Sequence, residues 1–187
     1  MYCNYLKSVV QEIEYYKMLG EKTFSQLTDE QLFWQSNSES NSIGVIVKHL
    51  WGNMMSRWTN FLTSDGEKDW RDRDAEFIND LGNRNEIIHK WNEGWNCFID
   101  AINSLSEADL EKEVIIRNQR HSVMEAINRQ LAHYSYHIGQ IVFIGKMICF
   151  TNWRSLTIPK GNSKQFNTEM FSTKSMQIYS LEPENNK

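Results

Sequence analysis

Cysteine, proline and positive charge are scarce in this chain, and each scarcity excludes something. Only three of the 187 residues are cysteine, Cys3, Cys97 and Cys149. Their number is odd and no two stand at a CxxC spacing, which excludes a disulfide framework and a thiolate zinc site. Cys97 and Cys149 read as small apolar residues buried in helices, and Cys3 has no neighbour that would activate it. The two prolines both lie beyond position 158, so no residue before them breaks a helical hydrogen-bond ladder. The formal net charge is −4 and the pI about 5.8. Without a basic stripe the chain has no electrostatic footprint for nucleic acid. No run reaches the roughly 18 to 20 apolar residues that cross a bilayer. The first eight residues lack the basic region and apolar core of a secretory signal, which predicts a soluble, cytoplasmic protein.

What remains is apolar and helical. Hydrophobic residues make up 40% and aromatics 12%, enough for one sizeable core, and the length suits one domain rather than two. Leu6, Val9, Val10, Ile13, Tyr16 and Leu19 fall on a 3.6-residue stripe and predict a helix over about 5–23. Thr28-Asp-Glu-Gln31 has the form of a capping box opening a short helix to Trp34. Ser42 is the predicted N-cap of a long helix to about Leu62, with Ile43, Ile46, Leu50, Met54, Trp58 and Phe61 on one side. A third helix over 84–105 carries Ile88, Trp91, Trp95, Phe98 and Ile102, aromatics that at helical spacing predict core rather than a ligand cage. Ser106-Glu-Ala-Asp109 caps a turn, and Val114-Ile-Ile116, too short to define a sheet, reads as an extended connector. Ser122-Val-Met-Glu125 is the clearest capping box and starts a helix to about Phe150. The pattern predicts an all-α four-helix bundle over 1–167 and a polar tail over 168–187. Residues 63–83 form the longest connection, either functional or a crossover along the bundle.

His133 and His137, in Leu131-Ala-His-Tyr-Ser-Tyr-His-Ile-Gly-Gln140, are the chemically informative pair. Four residues apart on a helix, they project from one face and offer two adjacent imidazole ligands. The same spacing also suits surface decoration or a hydrogen-bonded core pair. His49 tips the reading toward a metal, because a histidine among Ile46, Leu50 and Met54 is costly to bury unless its nitrogens are satisfied. His89 and His121 read as ordinary surface residues. The run His-Tyr-Ser-Tyr-His lacks the glutamate of HExxH, so peptidase chemistry is not expected.

Taken together, Asn41-Ser-Ile-Gly-Val-Ile-Val-Lys-His-Leu50, the stretch from Ser56 to Lys68, Trp70-Arg-Asp-Arg-Asp74, the His133/His137 run and the stretch from Trp153 to Gly161 resemble the DinB superfamily of four-helix-bundle proteins, nearest a branch of unknown function. The resemblance implies an up-up-down-down bundle, often a homodimer. It also implies a three-histidine site for a divalent metal, with His49 from the second helix and His133 and His137 from the fourth. Characterised relatives include transferases and isomerases that use low-molecular-weight thiols, which carries over as a class expectation.

Three protein ligands leave at least one coordination position open, the arrangement of catalytic zinc. An ion there would activate water or hold a thiol as thiolate. Zinc and nickel both suit imidazole. Gln140 is a candidate to orient a water, and Tyr136 to donate a hydrogen bond to substrate. Arg71, Arg73 and Asp74 are candidates to line the mouth of the site, with arginine suited to a carboxylate, or else to form an inter-loop salt bridge. Trp153, Ile158 and Pro159 are expected to tie the C-terminal segment to the bundle. The leading expectation is a metal-dependent enzyme, a small-molecule hydrolase or thiol-dependent transferase. The competing one is a non-catalytic metal-binding or stress-associated dimer stapled by its ion.

Overall fold

The computed structural model describes residues 5–172. Four long helices carry the core: α1 (Tyr5–Phe24), α3 (Ile43–Trp58), α4 (Arg84–Asn103) and α5 (Val123–Cys149). Two shorter helices, α2 (Asp29–Leu32) and α6 (Ser163–Ser172), and one two-stranded hairpin, β1 (Glu113–Ile116) with β2 (Gln119–Ser122), complete the described elements. The helices start where side chains supply acceptors for free amides. The Ser42 hydroxyl accepts from the Val45 amide, the Asn83 side chain from the Glu86 amide, and Ser122 and Glu125 form a full capping box. Helix α3 stops at Trp58, earlier than the apolar stripe predicts. Asn60 there turns to φ 52°, and the chain curls into hydrogen-bonded turns over 60–64.

Each of the long helices packs on two neighbours in the ring α1–α4–α3–α5. Their directions follow from who meets whom. Tyr5 donates to Asn128 at one end and Cys149 to the Gln26 carbonyl at the other, so α1 and α5 run parallel. Trp51 donates to Glu93 while Trp58 stacks on Phe98, so α3 and α4 also run parallel. Arg84, at the start of α4, donates to the carbonyls of Phe24 and Leu27 at the end of α1, which sets those two antiparallel. In chain order the bundle is therefore up, down, down, up, in place of the up-up-down-down order implied by the resemblance. The reason is that only 59–83 travels the length of the bundle, whereas up-up-down-down needs two crossovers.

The aromatic face of α4 lies in the core, as its spacing predicts. Trp91, Trp95 and Phe98 are fully buried, and Phe98 meets the rings of Trp58 and Tyr134 at 4.4 and 5.1 Å. Gly20 is where α1 admits the Trp91 ring, since a Cβ there would overlap it.

Two elements differ from expectation. Val114–Ile116 is not a lone connector but half of a hairpin, closed by Arg117 and Asn118, both at positive φ (52° and 58°) as a two-residue hairpin turn requires. The Asp65 carboxylate accepts from both turn amides at 2.8 and 2.9 Å, and Gly66 donates to the Ile115 carbonyl. Secondly, residues 163–172 are helical and cross the boundary placed at 167, although α6 buries none of its residues. Trp153 packs beside Gly145, and Gln26 brackets Arg154 with two hydrogen bonds, which ties this segment to the bundle. Pro159 and Ile158 are exposed. Cys97 and Cys149 are half-buried; the expectations for Cys3 and for 173–187 lie outside the described residues.

Candidate metal centre

Helix α3 presents His49 and α5 presents His133 and His137 toward one another. The three ligand atoms lie within 4.8 Å of one another. His133 Nε2 stands 3.1 Å from His137 Nε2 and 3.4 Å from His49 Nε2. A tetrahedral ion with metal–nitrogen bonds near 2.05 Å separates its ligands by about 3.3 Å, so the two spacings made by His133 fit a shared coordination sphere.

The proton count leads to the same reading. His49 Nδ1 donates to Glu76 Oε2 at 2.8 Å, and His137 Nδ1 donates to Gln140 Oε1 at 2.8 Å. With their protons held on Nδ1, neutral His49 and His137 both direct the lone pair of Nε2 inward. His133 Nε2 faces both and carries at most one proton, so the cluster cannot satisfy itself by hydrogen bonding. Adding a proton is opposed: burial, reinforced by the neighbouring histidine and arginine charges, pulls His133 down to about 3. Burial likewise pulls His137 to about 4, against the opposing effect of the hydrogen bond it donates to Gln140. Convergent imidazoles, of which His133 and His137 resist protonation, are the donor set a divalent cation takes.

Glu76 is the group that holds His49 in place. Burial of its carboxyl works to raise the pKa, but hydrogen bonds from His49 and Arg71, together with the charge of Arg71, outweigh it and keep the group ionised below its ordinary range. Arg71 grips the same carboxylate with Nε at 2.7 Å and Nη2 at 3.0 Å. Gly52, one turn beyond His49 on α3, makes the approach possible, because a Cβ there would overlap Glu76 Oε1. The 3-10 turn Ala75–Phe77 delivers both Glu76 and Phe77, whose ring stacks on His49 at 4.9 Å.

The other sequence-derived candidates fall in different places. Arg71 is at the site but its side chain is buried, the guanidinium bound to Glu76 and 3.6 Å from Glu67, two partners on its own loop and not across two loops. Arg73 and Asp74 are exposed. Gln140 meets the ligand His137 rather than the cluster's centre. Tyr136 is 63% exposed, its ring edge-on to His137 at 5.1 Å. His89 is exposed, whereas His121 is half-buried on β2 with Nε2 out of contact with solvent. Sequence reasoning missed Glu76, Gly52 and Arg57. The available signal was Gly52, a glycine inside a helical run, which marks a close approach.

No helix among the described residues is long and apolar enough to cross a membrane. Comparison with curated proteins finds no match, and comparison with solved structures finds none. A family described as "Protein of unknown function (DUF1572)" matches residues 1–162. That span takes in all four long helices, the three histidines and Glu76, and the chain belongs to this family, a branch of the DinB-like superfamily of metal-binding helical bundles.

Proposed function

We propose that this protein is a metal-dependent enzyme acting on a small molecule, with thiol transfer favoured over hydrolysis. The observation that carries the reading is the set of three Nε2 atoms that cannot be satisfied by one another and that leave one side of the site without a fourth protein ligand among the described residues. A purely structural site usually closes four positions. A divalent ion held there, zinc or nickel, supplies Lewis-acid polarisation and keeps a coordinated thiol or water deprotonated at neutral pH.

The protein's own groups favour the thiol. Glu76 is the carboxylate in hydrogen-bond reach of the cluster, and both of its oxygens are committed to His49 and Arg71. It orients a ligand and is not free to take a proton from water. A thiol, with an ordinary pKa near 8.5, needs less help than water to ionise. Tyr136 stands at the exposed rim of His137 and is suited to donate a hydrogen bond to the second substrate. Arg73, exposed on the loop, is suited to attract an anionic one.

Tyr136 and the exposed Phe143, Met147 and Phe150 lie at i, i+7, i+11 and i+14 along one stripe of α5 and its C-terminal turn. This supports a homodimer formed through that face. The unpaired thiols of Cys97 and Cys149 suit a reducing compartment and support a cytoplasmic location. The test of function is thiol consumption by zinc- or nickel-loaded protein across a panel of electrophiles, beside hydrolysis of simple esters. Metal-dependent loss of thiol, absent from a His49→Ala variant, is the expected result. Inertness in both assays, with large destabilisation on metal removal, would instead make the ion a structural staple.

A further inference from the structure

Along α3, His49, Asn53 and Arg57 recur every four residues and share the face turned toward α5. Asn53 accepts from the Tyr134 hydroxyl at 3.0 Å, and His49 joins the metal centre. Arg57 is different. It is 3% exposed, and its guanidinium has no hydrogen-bond or ion-pair partner among the described residues, with Nε and Nη1 sealed from solvent. Burial lowers its pKa to about 10, which leaves it charged at neutral pH. An unpaired buried guanidinium costs several kcal/mol, so its retention calls for an anion.

The nearby carboxylates are spoken for. Asp65 is turned to the amides of Glu67, Arg117 and Asn118. Glu67 lies between Arg117 at 3.0 Å and Arg71 at 3.6 Å, and Glu76 is held by His49 and Arg71. The loop that covers the guanidinium is fixed in place. Gly66 lies against the guanidinium, where a Cβ would come within 2.7 Å of Nη1, and the Ser56 hydroxyl pins that loop by donating to the Gly66 carbonyl at 2.9 Å. Among the other buried nitrogens without a hydrogen-bond partner are Arg71 Nη1 and His133 Nδ1. Arg71 reaches the metal centre through Glu76, the carboxylate it shares with His49, His133 is itself one of the three histidines, and Arg57 stands about two turns beyond His49 on the same face of α3.

We propose that Arg57 is the receptor for an oxyanion, a carboxylate or phosphoryl group, carried by the small molecule that reaches the metal centre, with Arg71 Nη1 and His133 Nδ1 as additional donors. This deepens the enzymatic reading and rests on it for the position of the metal. It also narrows the substrate class: a neutral thiol with a neutral electrophile leaves Arg57 uncompensated, whereas an anion-bearing partner neutralises it.

The test is thermal unfolding of metal-loaded wild type, Arg57→Met and Arg57→Gln at constant ionic strength, titrated with acetate or inorganic phosphate, with metal content measured on the same samples. The expected wild-type response is a saturable rise in Tm. Arg57→Met, which keeps the apolar stem and removes the charge, is expected to melt above wild type without probe and to show no response. Arg57→Gln should need at least about tenfold more probe. The stronger of the two probes identifies the group as carboxylate or phosphoryl. Arg57→Met melting below wild type would mean that the chain itself satisfies the guanidinium, and equal responses in all three proteins would place the probe on the metal alone; either result overturns the proposal. Metal-loaded wild type that ignores both probes also overturns it while leaving the metal centre intact. Wild type that binds no metal yet responds through Arg57 keeps the anion site and ends the enzymatic reading.

Discussion

Replacing Glu76 by glutamine tests how the metal centre is held. The carboxylate accepts one hydrogen bond from His49 Nδ1 at 2.8 Å and two from Arg71 at 2.7 and 3.0 Å. Glutamine keeps one carbonyl oxygen but turns an NH2 toward donors, so His49 or Arg71 loses its partner. Loss of the group orienting a ligand histidine costs roughly 10- to 100-fold in metal affinity, about 1.4–2.7 kcal/mol. One lost charge-assisted hydrogen bond in a buried setting adds about 2–3 kcal/mol of destabilisation to the metal-free protein. The assay pairs competition with a chromophoric chelator at pH 7 with thermal melts of the stripped protein. The carboxyl pKa is depressed on folding from its ordinary 4.5. Its contribution to stability is therefore present above that value and lost as pH falls through the lower folded value, and the glutamine variant should lack this acid limb. Gly52→Ala is the companion variant: its Cβ displaces the same carboxylate without changing charge, and affinity should fall in the same direction. Affinity within twofold of wild type in both variants would refute the positioning role of Glu76.

Two further outcomes follow from the same geometry. The metal-free protein should lose stability as pH drops from about 6.5 toward 4. His133 and His137 have folded pKa values of about 3 and about 4, so the unfolded chain binds the protons first. Each histidine steepens the loss by up to about 1.4 kcal/mol per pH unit, and equilibrium denaturation of a His133→Ala/His137→Ala variant should show a flatter profile. Asp65→Ala should destabilise the protein by roughly 1–3 kcal/mol, because it orphans the amides of Glu67, Arg117 and Asn118. It should weaken metal binding less than Glu76→Gln, since it loosens only the start of the loop that carries Arg71 and Glu76; urea unfolding and chelator competition measure the two effects.

The helices were legible because their signals are local. Ser42 and Ser122 cap where the sequence places them, and the apolar stripes of α1, α3, α4 and α5 face the core. The three histidines were legible because a helix fixes what lies four residues away, and because a buried histidine asks for a partner. What escaped depends on chain reversal and on distant contacts. The Val114–Ile116 hairpin is closed by Arg117 and Asn118 at positive φ, without a glycine to mark the turn, and is steadied by Asp65 some 52 residues earlier in sequence. The direction of α3 relative to α1 is set by which connection crosses the bundle, and no periodicity records that. Glu76 sits in a charged loop where carboxylates are common, and only the fold shows that this one meets His49. Arg57 reads in sequence as an ordinary basic residue in the last turn of a helix; its burial without a partner comes from Gly66 folding over it.

The most direct test of the central claim is the metal content of untagged wild-type protein beside a His49→Ala/His133→Ala/His137→Ala variant shown by circular dichroism to be folded. About one divalent ion per wild-type chain is expected after reconstitution with zinc or nickel, and none retained by the variant. Wild-type protein that holds no ion under those conditions, or a variant that holds as much as wild type, would contradict that claim.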